Sequence, residues 1–177
     1  MSDGRTIISS SDDNQEIVFK DASLITISFG LDSASPRALD GSQETGYVTS
    51  TSYDHISEWR TGTRWMIRAI DEDFWAFLCQ GSEAHCLAIK NDQLILAPLT
   101  VKSKWRKEDR TNRAAMWRVH YEVCRGRYLL HNKKGGWMAG FGDNLWVEKH
   151  PDHDSHVNLL GLTRIEPNPA QSQTRLP

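Results

Sequence analysis

Residues 64–98 read RWMIRAIDEDFWAFLCQGSEAHCLAIKNDQLILAP, and residues 116–150 read MWRVHYEVCRGRYLLHNKKGGWMAGFGDNLWVEKH. Laid one above the other, they bring Trp65 over Trp117, Ile67 over Val119, Leu78 over Leu130 and Gln80 over Asn132, each 52 residues apart. After one deletion Leu94 falls over Leu145 and Leu96 over Val147, each 51 apart. Internal similarity at such a period is the mark of a repeated supersecondary unit. Here the unit is a Trp-headed strand, a tight polar turn (Asp71 to Asp73; Cys124 to Gly126), a strand, a short loop and a strand. A turn of Asn91-Asp92-Gln93 or Gly142-Asp143-Asn144 and another strand complete it.

Outward from this pair the same grammar continues. Short apolar runs rich in β-branched and aromatic residues, each ended by Gly, Asn, Asp or Pro, are the pattern of an all-β chain, and helical periodicity is almost absent. Twelve strands are expected: 24–29, 37–39, 46–51, 64–70, 74–79, 85–89, 94–98, 116–121, 127–131, 137–141, 145–149 and 157–165. They group into three four-stranded units of about 24–70, 74–121 and 126–165. Residues 1–16 are read as a polar N-terminal tail, and 167–177, PNPAQSQTRLP, as a disordered C-terminal tail on their Pro, Gln and Ser content.

Three four-stranded units in a chain of this size resemble the β-trefoil superfamily, shared by ricin-B-type lectins, cytoplasmic fungal lectins, fungal protease inhibitors and the fascin repeats. The resemblance covers residues 17–166 and rests on the repeat plan. Ricin-B-type repeats carry Gln-x-Trp before their last strand. Here those positions read Thr63-Arg64-Trp65 and Ala115-Met116-Trp117, and residues 157–162 contain no Trp, so the Trp of the motif is kept in two units and its Gln in neither. A large ring at the head of a closing strand fills the space left inside a barrel of short hairpins, so Trp65 and Trp117 are assigned to the core.

Composition bounds the rest. At 177 residues, with 38% hydrophobic and 25% charged residues and a mean hydropathy of −0.55, the chain has the size and balance of one soluble globular domain. The opening MSDGRTIISSSDDNQ has no apolar secretory core, which points to a cytoplasmic location. Cys79, Cys86 and Cys124 are too few for a disulfide scaffold and are read as reduced, small core or near-core residues. Residues 1–58 carry ten acids against three bases, and residues 102–134 carry eleven bases against three acids. The net charge is −2.

Seven tryptophans are the strongest chemical signal. Trp59 and Trp105 fall in long loops. Trp75, Trp137 and Trp146 fall in or beside strands with one wet face, where an aromatic can stack on a sugar ring, a nucleobase or an apolar ligand. In trefoil lectins the sugar is held by an Asp near the end of the second strand, an aromatic on the third, and an Asn or Gln after it. The resemblance therefore implies a ligand site at Asp40, Gln43 and Tyr47 in the first unit and at Asp143, Asn144 and Trp146 in the third. A second candidate is a polyanion patch in KSKWRKEDRTNR: Lys102, Lys104, Trp105, Arg106, Lys107, Arg110 and Arg113. An isoelectric point near 6.4 and the acidic first third argue against nucleic acid as its partner.

No nucleophile elbow or phosphate loop is present. His120, Glu122 and His131 are the first suspects for acid–base work, should a small cyclase or isomerase be hidden here. His150, His153 and His156 recur every third residue but match no metal-ligand spacing. The expectation is thus a non-catalytic, lectin-like binding protein without cofactor or metal, whose partner is a glycan or other small ligand. Two alternatives stand beside it. One is the small enzyme; the other is an inhibitor or scaffold that docks on a protein through loops 52–63 and 99–115.

Overall fold

The computed structural model describes residues 7–10, 16–19, 22–31, 33–41, 46–52, 61–70, 73–81, 85–98, 110–122, 124–150 and 156–165. The strands are β1 (Ile7–Ser10), β2 (Glu16–Phe19), β3 (Leu24–Phe29), β4 (Arg37–Gly41), β5 (Val48–Ser52), β6 (Trp65–Ala69) and β7 (Trp75–Cys79). They continue as β8 (His85–Lys90), β9 (Gln93–Pro98), β10 (Trp117–Glu122), β11 (Arg127–Asn132), β12 (Trp137–Phe141), β13 (Asn144–Glu148) and β14 (Leu160–Arg164). Each of the twelve strand expectations finds its strand within one to three residues. The last begins only at Leu160, because Val157 and Asn158 form a 3-10 turn. Residues 7–10 and 16–19, partly inside the stretch read as a tail, pair as a separate antiparallel sheet.

Six strands close on themselves. β3 pairs with β6, β6 with β7, β7 with β10, β10 with β11, β11 with β14, and β14 returns to β3. Closure leaves no open edge in the ring. Six more strands form three hairpins, β4–β5, β8–β9 and β12–β13, attached to β3, β7 and β11 respectively. Hairpin geometry follows local chemistry: Asn91 and Asp92 both take positive φ (52° and 59°), as a two-residue turn matched to strand twist requires.

The core holds Phe29, Trp65, Phe77, Trp117, Tyr128 and Leu160, all at or near zero exposure. Trp65 and Trp117 occupy matching places, facing Ile25 and Trp75 across the strand pair, and their indoles donate to Leu39 O at 3.3 Å and Leu87 O at 2.9 Å. In the third unit Leu160 faces Tyr128 at the corresponding place. A leucine cannot donate, and the amide of Asn158 supplies the missing bond, to Met138 O at 3.0 Å. The third repeat therefore keeps the hydrogen bond while losing the Trp.

The repeat register needs one correction. Trp65 faces Cys79 while Trp117 faces Asn132, so Leu78 matches His131 and Phe77 matches Leu130, 53 residues apart instead of 52. A slip of one residue turns a side chain to the opposite face of the sheet. Phe77 and Leu130 are buried; Leu78 and His131 are half-buried and face outward.

Two smaller expectations also change. Trp75, read as having a wet face, is 7% exposed and belongs to the core. Cys124, read as core or near-core, is exposed in the β10–β11 turn, while Cys79 and Cys86 are buried.

Candidate functional site

The three hairpins carry different outward faces. Antiparallel partners share a face, so the outward pairs of β12–β13 are Trp137 with Glu148, Ala139 with Trp146 and Phe141 with Asn144. The inward residues, Met138, Leu145 and Val147, join the core. Ala139 is fully buried beneath this face, Trp137, Trp146 and Glu148 are half-buried, and Phe141 is 64% exposed. The Trp146 indole donates to Glu148 Oε1 at 3.0 Å, fixing ring and carboxylate relative to each other. Gly140, inward on β12, lies against the Phe29 ring, and any side chain there would collide with it; this contact seats the third hairpin on β3.

On the second hairpin the same positions are Cys86, Ala97, Ala88 and Ile95, and Ala114 and Ala115 of the 3-10 segment Arg110–Ala115 cover them. Cys86 and Ala88 are buried there, while Ile95 and Ala97 are half-buried. On the first hairpin they are Ala38, Thr51, Asp40 and Thr49.

The third hairpin is continuous with the barrel wall beside it. His131 of β11 faces Trp137 and stacks on it, with centroids 4.4 Å apart and planes 29° apart; His120 of β10 lies 5.3 Å from the same indole. Both imidazoles are held below their ordinary value, first by burial and then by the Arg118 guanidinium, and His120 also by His131.

The expected site residues are distributed as follows. Asn144 and Trp146 lie on the outward face of β13. Asp143, at the hairpin turn, pairs with Arg37 of β4 at 3.0 Å. Asp40 is half-buried with its carboxylate against Gly62 of the 3-10 turn Thr61–Thr63, whose position a Cβ would overlap. Tyr47 is 52% exposed at the seam where its backbone bridges Ile95 of the second unit. By register Tyr47 corresponds to Asn144, not to Trp146; the place of Trp146 is taken in the first unit by Thr49. Gln43 lies outside the described residues.

The same holds for Lys102, Lys104, Trp105, Arg106, Lys107, Trp59 and His153. Of Arg110 and His156 only the backbone is described, Arg113 is exposed in the last turn of its 3-10 segment, and His150 is exposed. Among the described residues no three His, Cys, Asp or Glu side chains group as metal ligands. His120 and His131 are brought together, 6.5 Å between centroids, whereas Glu122 sits further along β10 opposite Arg127. The sequence reading missed Glu148 and the stacking of His131 on Trp137. The Trp-x-Glu spacing of Trp146 and Glu148 on one strand was the available signal for the first.

Comparison with solved structures returns barrels of the same kind. A designed threefold-symmetric protein, ThreeFoil, matches with a TM-score of 0.55 at 13% identity, over 80% of this chain and 99% of that one. The Polyporus squamosus lectin, solved with the epitope Neu5Aca2-6Galb1-4GlcNAc, matches at 0.60 and 9% identity, over 82% of this chain and 50% of the lectin. The fold is a β-trefoil. A GlcNAcα1-4Gal-releasing endo-β-galactosidase from Clostridium perfringens matches at 0.61 and 12% identity over 81% of this chain. The chain spans only 33% of that enzyme's length. At such identities the likeness is one of fold. No protein-family model and no curated protein sequence matches the chain. Among the described residues no helix is long and apolar enough to cross a membrane.

Proposed function

We propose that this β-trefoil is a carbohydrate-binding protein whose site is the outward face of the third hairpin. The observation that carries the reading is the arrangement of Trp137, Trp146 and Glu148: two half-buried indoles with a carboxylate held between their strands by the Trp146 indole. A sugar presents an apolar ring face and a rim of hydroxyls. Stacking on Trp146 takes the first, and Glu148 and the Asn144 amide at the neighbouring position accept and donate to the second. The equivalent face of the second hairpin is small and aliphatic, and that of the first carries Ala38, Asp40, Thr49 and Thr51, so the aromatic face is particular to the third unit. Lectins and glycosidases among the proteins of this fold are consistent with the reading.

A glycan array probed at low and high salt tests it. The expected outcome is a set of ligands whose binding Trp146→Ala weakens by about 5–30-fold, the equivalent of roughly 1–2 kcal/mol of lost stacking, while the variant still unfolds cooperatively well above the temperature of the assay. A blank array, or ligands bound equally well by W146A, would sink the proposal.

A further inference from the structure

The third hairpin is one end of a longer line. Across the sheet, Glu148 of β13 faces Trp137 of β12, Trp137 faces His131 of β11, and His131 faces Arg118 of β10. Next to Arg118 comes Phe74, the residue before β7, with the guanidinium carbon 5.0 Å from its ring centroid. All five side chains are half-buried, so they line a shallow surface instead of projecting from it. With strands ~4.8 Å apart, the row runs roughly 20 Å along the outside of the barrel, the span of several sugar rings.

Its two ends differ in charge. At the hairpin end the carboxylate of Glu148 is engaged with the Trp146 indole. At the other end two cations converge on one ring: Lys133 Nζ lies 4.5 Å from the same Phe74 centroid that Arg118 approaches. Among the described residues Asp73 lies beside Arg118, 3.6 Å from its Nη2, with the two side chains 67% and 42% exposed respectively. That distance is too long for a hydrogen bond, so the contact is electrostatic and solvent-screened and does not occupy the guanidinium fork. Arg118 also depresses both neighbouring imidazoles, which reports a positive potential over His120 and His131. A planar fork beside a point ammonium suits a carboxylate or sulfate better than a neutral hydroxyl.

We propose that this row is an extended subsite line for an acidic oligosaccharide, with a neutral ring stacked at Trp137 and the anionic group of a neighbouring ring held by Arg118 and Lys133 above Phe74. This rests on the carbohydrate reading of the third hairpin and names the ligand class that the reading leaves open. The shared chemistry is a saccharide-borne anion, either a uronic carboxylate or a sulfate ester.

The experiment is titration calorimetry of the whole protein with matched tetrasaccharides. One pair is tetragalacturonate and its methyl ester; the other is a chondroitin sulfate tetrasaccharide and its desulfated form. The expected result is that at least one acidic member binds about tenfold or more tighter than its less charged partner, as one charge-assisted contact implies. The pair that shows it identifies carboxylate or sulfate. In Arg118→Gln/Lys133→Gln, checked for fold by its melting temperature, that ratio collapses toward one. In Trp137→Ala both members weaken together.

Equal binding of charged and neutral members by the native protein, or an acid preference that survives the double substitution, overturns the inference. In that event a glycan array that still shows W146A-sensitive ligands leaves the carbohydrate reading standing. An array blank for every glycan, acidic or neutral, removes both.

Discussion

The second and third hairpins occupy the same place on the barrel and carry opposite side chains on their outward faces. On the second, Cys86, Ala88, Ile95 and Ala97 form a small apolar face that Ala114 and Ala115 roof over. On the third, the matching positions are Trp137, Ala139, Trp146 and Glu148, half-open to solvent apart from the alanine. Small residues allow a loop to close down, whereas large aromatics and a carboxylate hold a surface open. The threefold scaffold thus carries a small aliphatic face on one hairpin and an aromatic, acidic face on another without altering its backbone plan. Three of the six barrel strands follow directly from such packing requirements: β6 and β10 are headed by indoles whose N–H must find a carbonyl, and β14 by a leucine that leaves that carbonyl to Asn158.

The sharpest way to break the contrast is chemical labelling. The Cys86 thiol, under the roof, is pushed up to about 12 by burial, while Cys124 sits exposed in the β10–β11 turn. With thiolate as the reactive species, native labelling at pH 8 should be far slower at buried Cys86 than at exposed Cys124, and the two should converge in denaturant. Mass mapping of the modified cysteines reads the result. Rapid native labelling of Cys86 would show that the second hairpin is open too.

Next in size is a pair of tryptophan truncations. Trp117→Ala removes a fully buried indole and strands the Leu87 carbonyl, and should cost about 3–5 kcal/mol in urea unfolding. Trp146→Ala, at a half-buried position over Ala139, should cost less than about 2 kcal/mol while weakening glycan binding. Equal stability losses from the two would mean that Trp146 is a core residue and that the third hairpin is built like the second.

How much of this could be read in the chain follows from the same two hairpins. The strands were legible because apolar alternation and turn residues are local, as in Leu24–Phe29 and Trp137–Phe141, whose bounds agree with the structure to the residue. The core roles of Trp65 and Trp117 were legible because they head repeated strands. The row from Phe74 to Glu148 was not, since its members stand 6 to 44 residues from their row neighbours and meet only through register. The one-residue error that set Leu78 over Leu130 concealed the outward place of His131 beside Trp137, since it exchanged an outward position for an inward one. For Asp40 and Asp143 the sequence shows the residue type and the turn but not the neighbours: one carboxylate lies against Gly62 and the other pairs with Arg37.

The imidazoles give a smaller, pH-dependent test. His120 and His131 are lowered from the ordinary 6.5 by burial and by Arg118, and Lys133, Asp73, Glu122, Arg127 and Glu148 are further charges on that face. Between their lowered values and 6.5 the unfolded chain holds protons that the folded chain does not. Stability should therefore fall as pH drops through that window and level off below it. Urea midpoints at stepped pH should show a shallower fall in His120→Gln/His131→Gln than in the native protein. An unchanged slope would place the acid sensitivity in the carboxylates, and the positive potential inferred over the two imidazoles would be wrong.

The smallest effect sharpens the boundary of the site. Asp143 Oδ1 lies 3.0 Å from Arg37 Nη1, and its side chain is 83% exposed. Arg37 is already held by Ser50, through Nε to Oγ at 2.8 Å and Nη2 to the carbonyl at 3.0 Å, so the guanidinium is positioned before the carboxylate arrives. An exposed pair of this kind contributes at most about 1 kcal/mol and is weakened by salt. Asp143→Asn should accordingly lower stability slightly at low ionic strength, with the difference from the native protein vanishing near ~1 M salt as screening becomes complete. Its effect on glycan affinity discriminates between two roles for the residue. If Asp143 ties the third hairpin to the first unit, affinity falls only as far as the hairpin loosens, and salt reduces the difference. If Asp143 instead grips a sugar hydroxyl, as the sequence pattern implied, D143N loses affinity with no change in stability at any salt concentration, and the site extends beyond the Trp137–Trp146 face onto the hairpin tip.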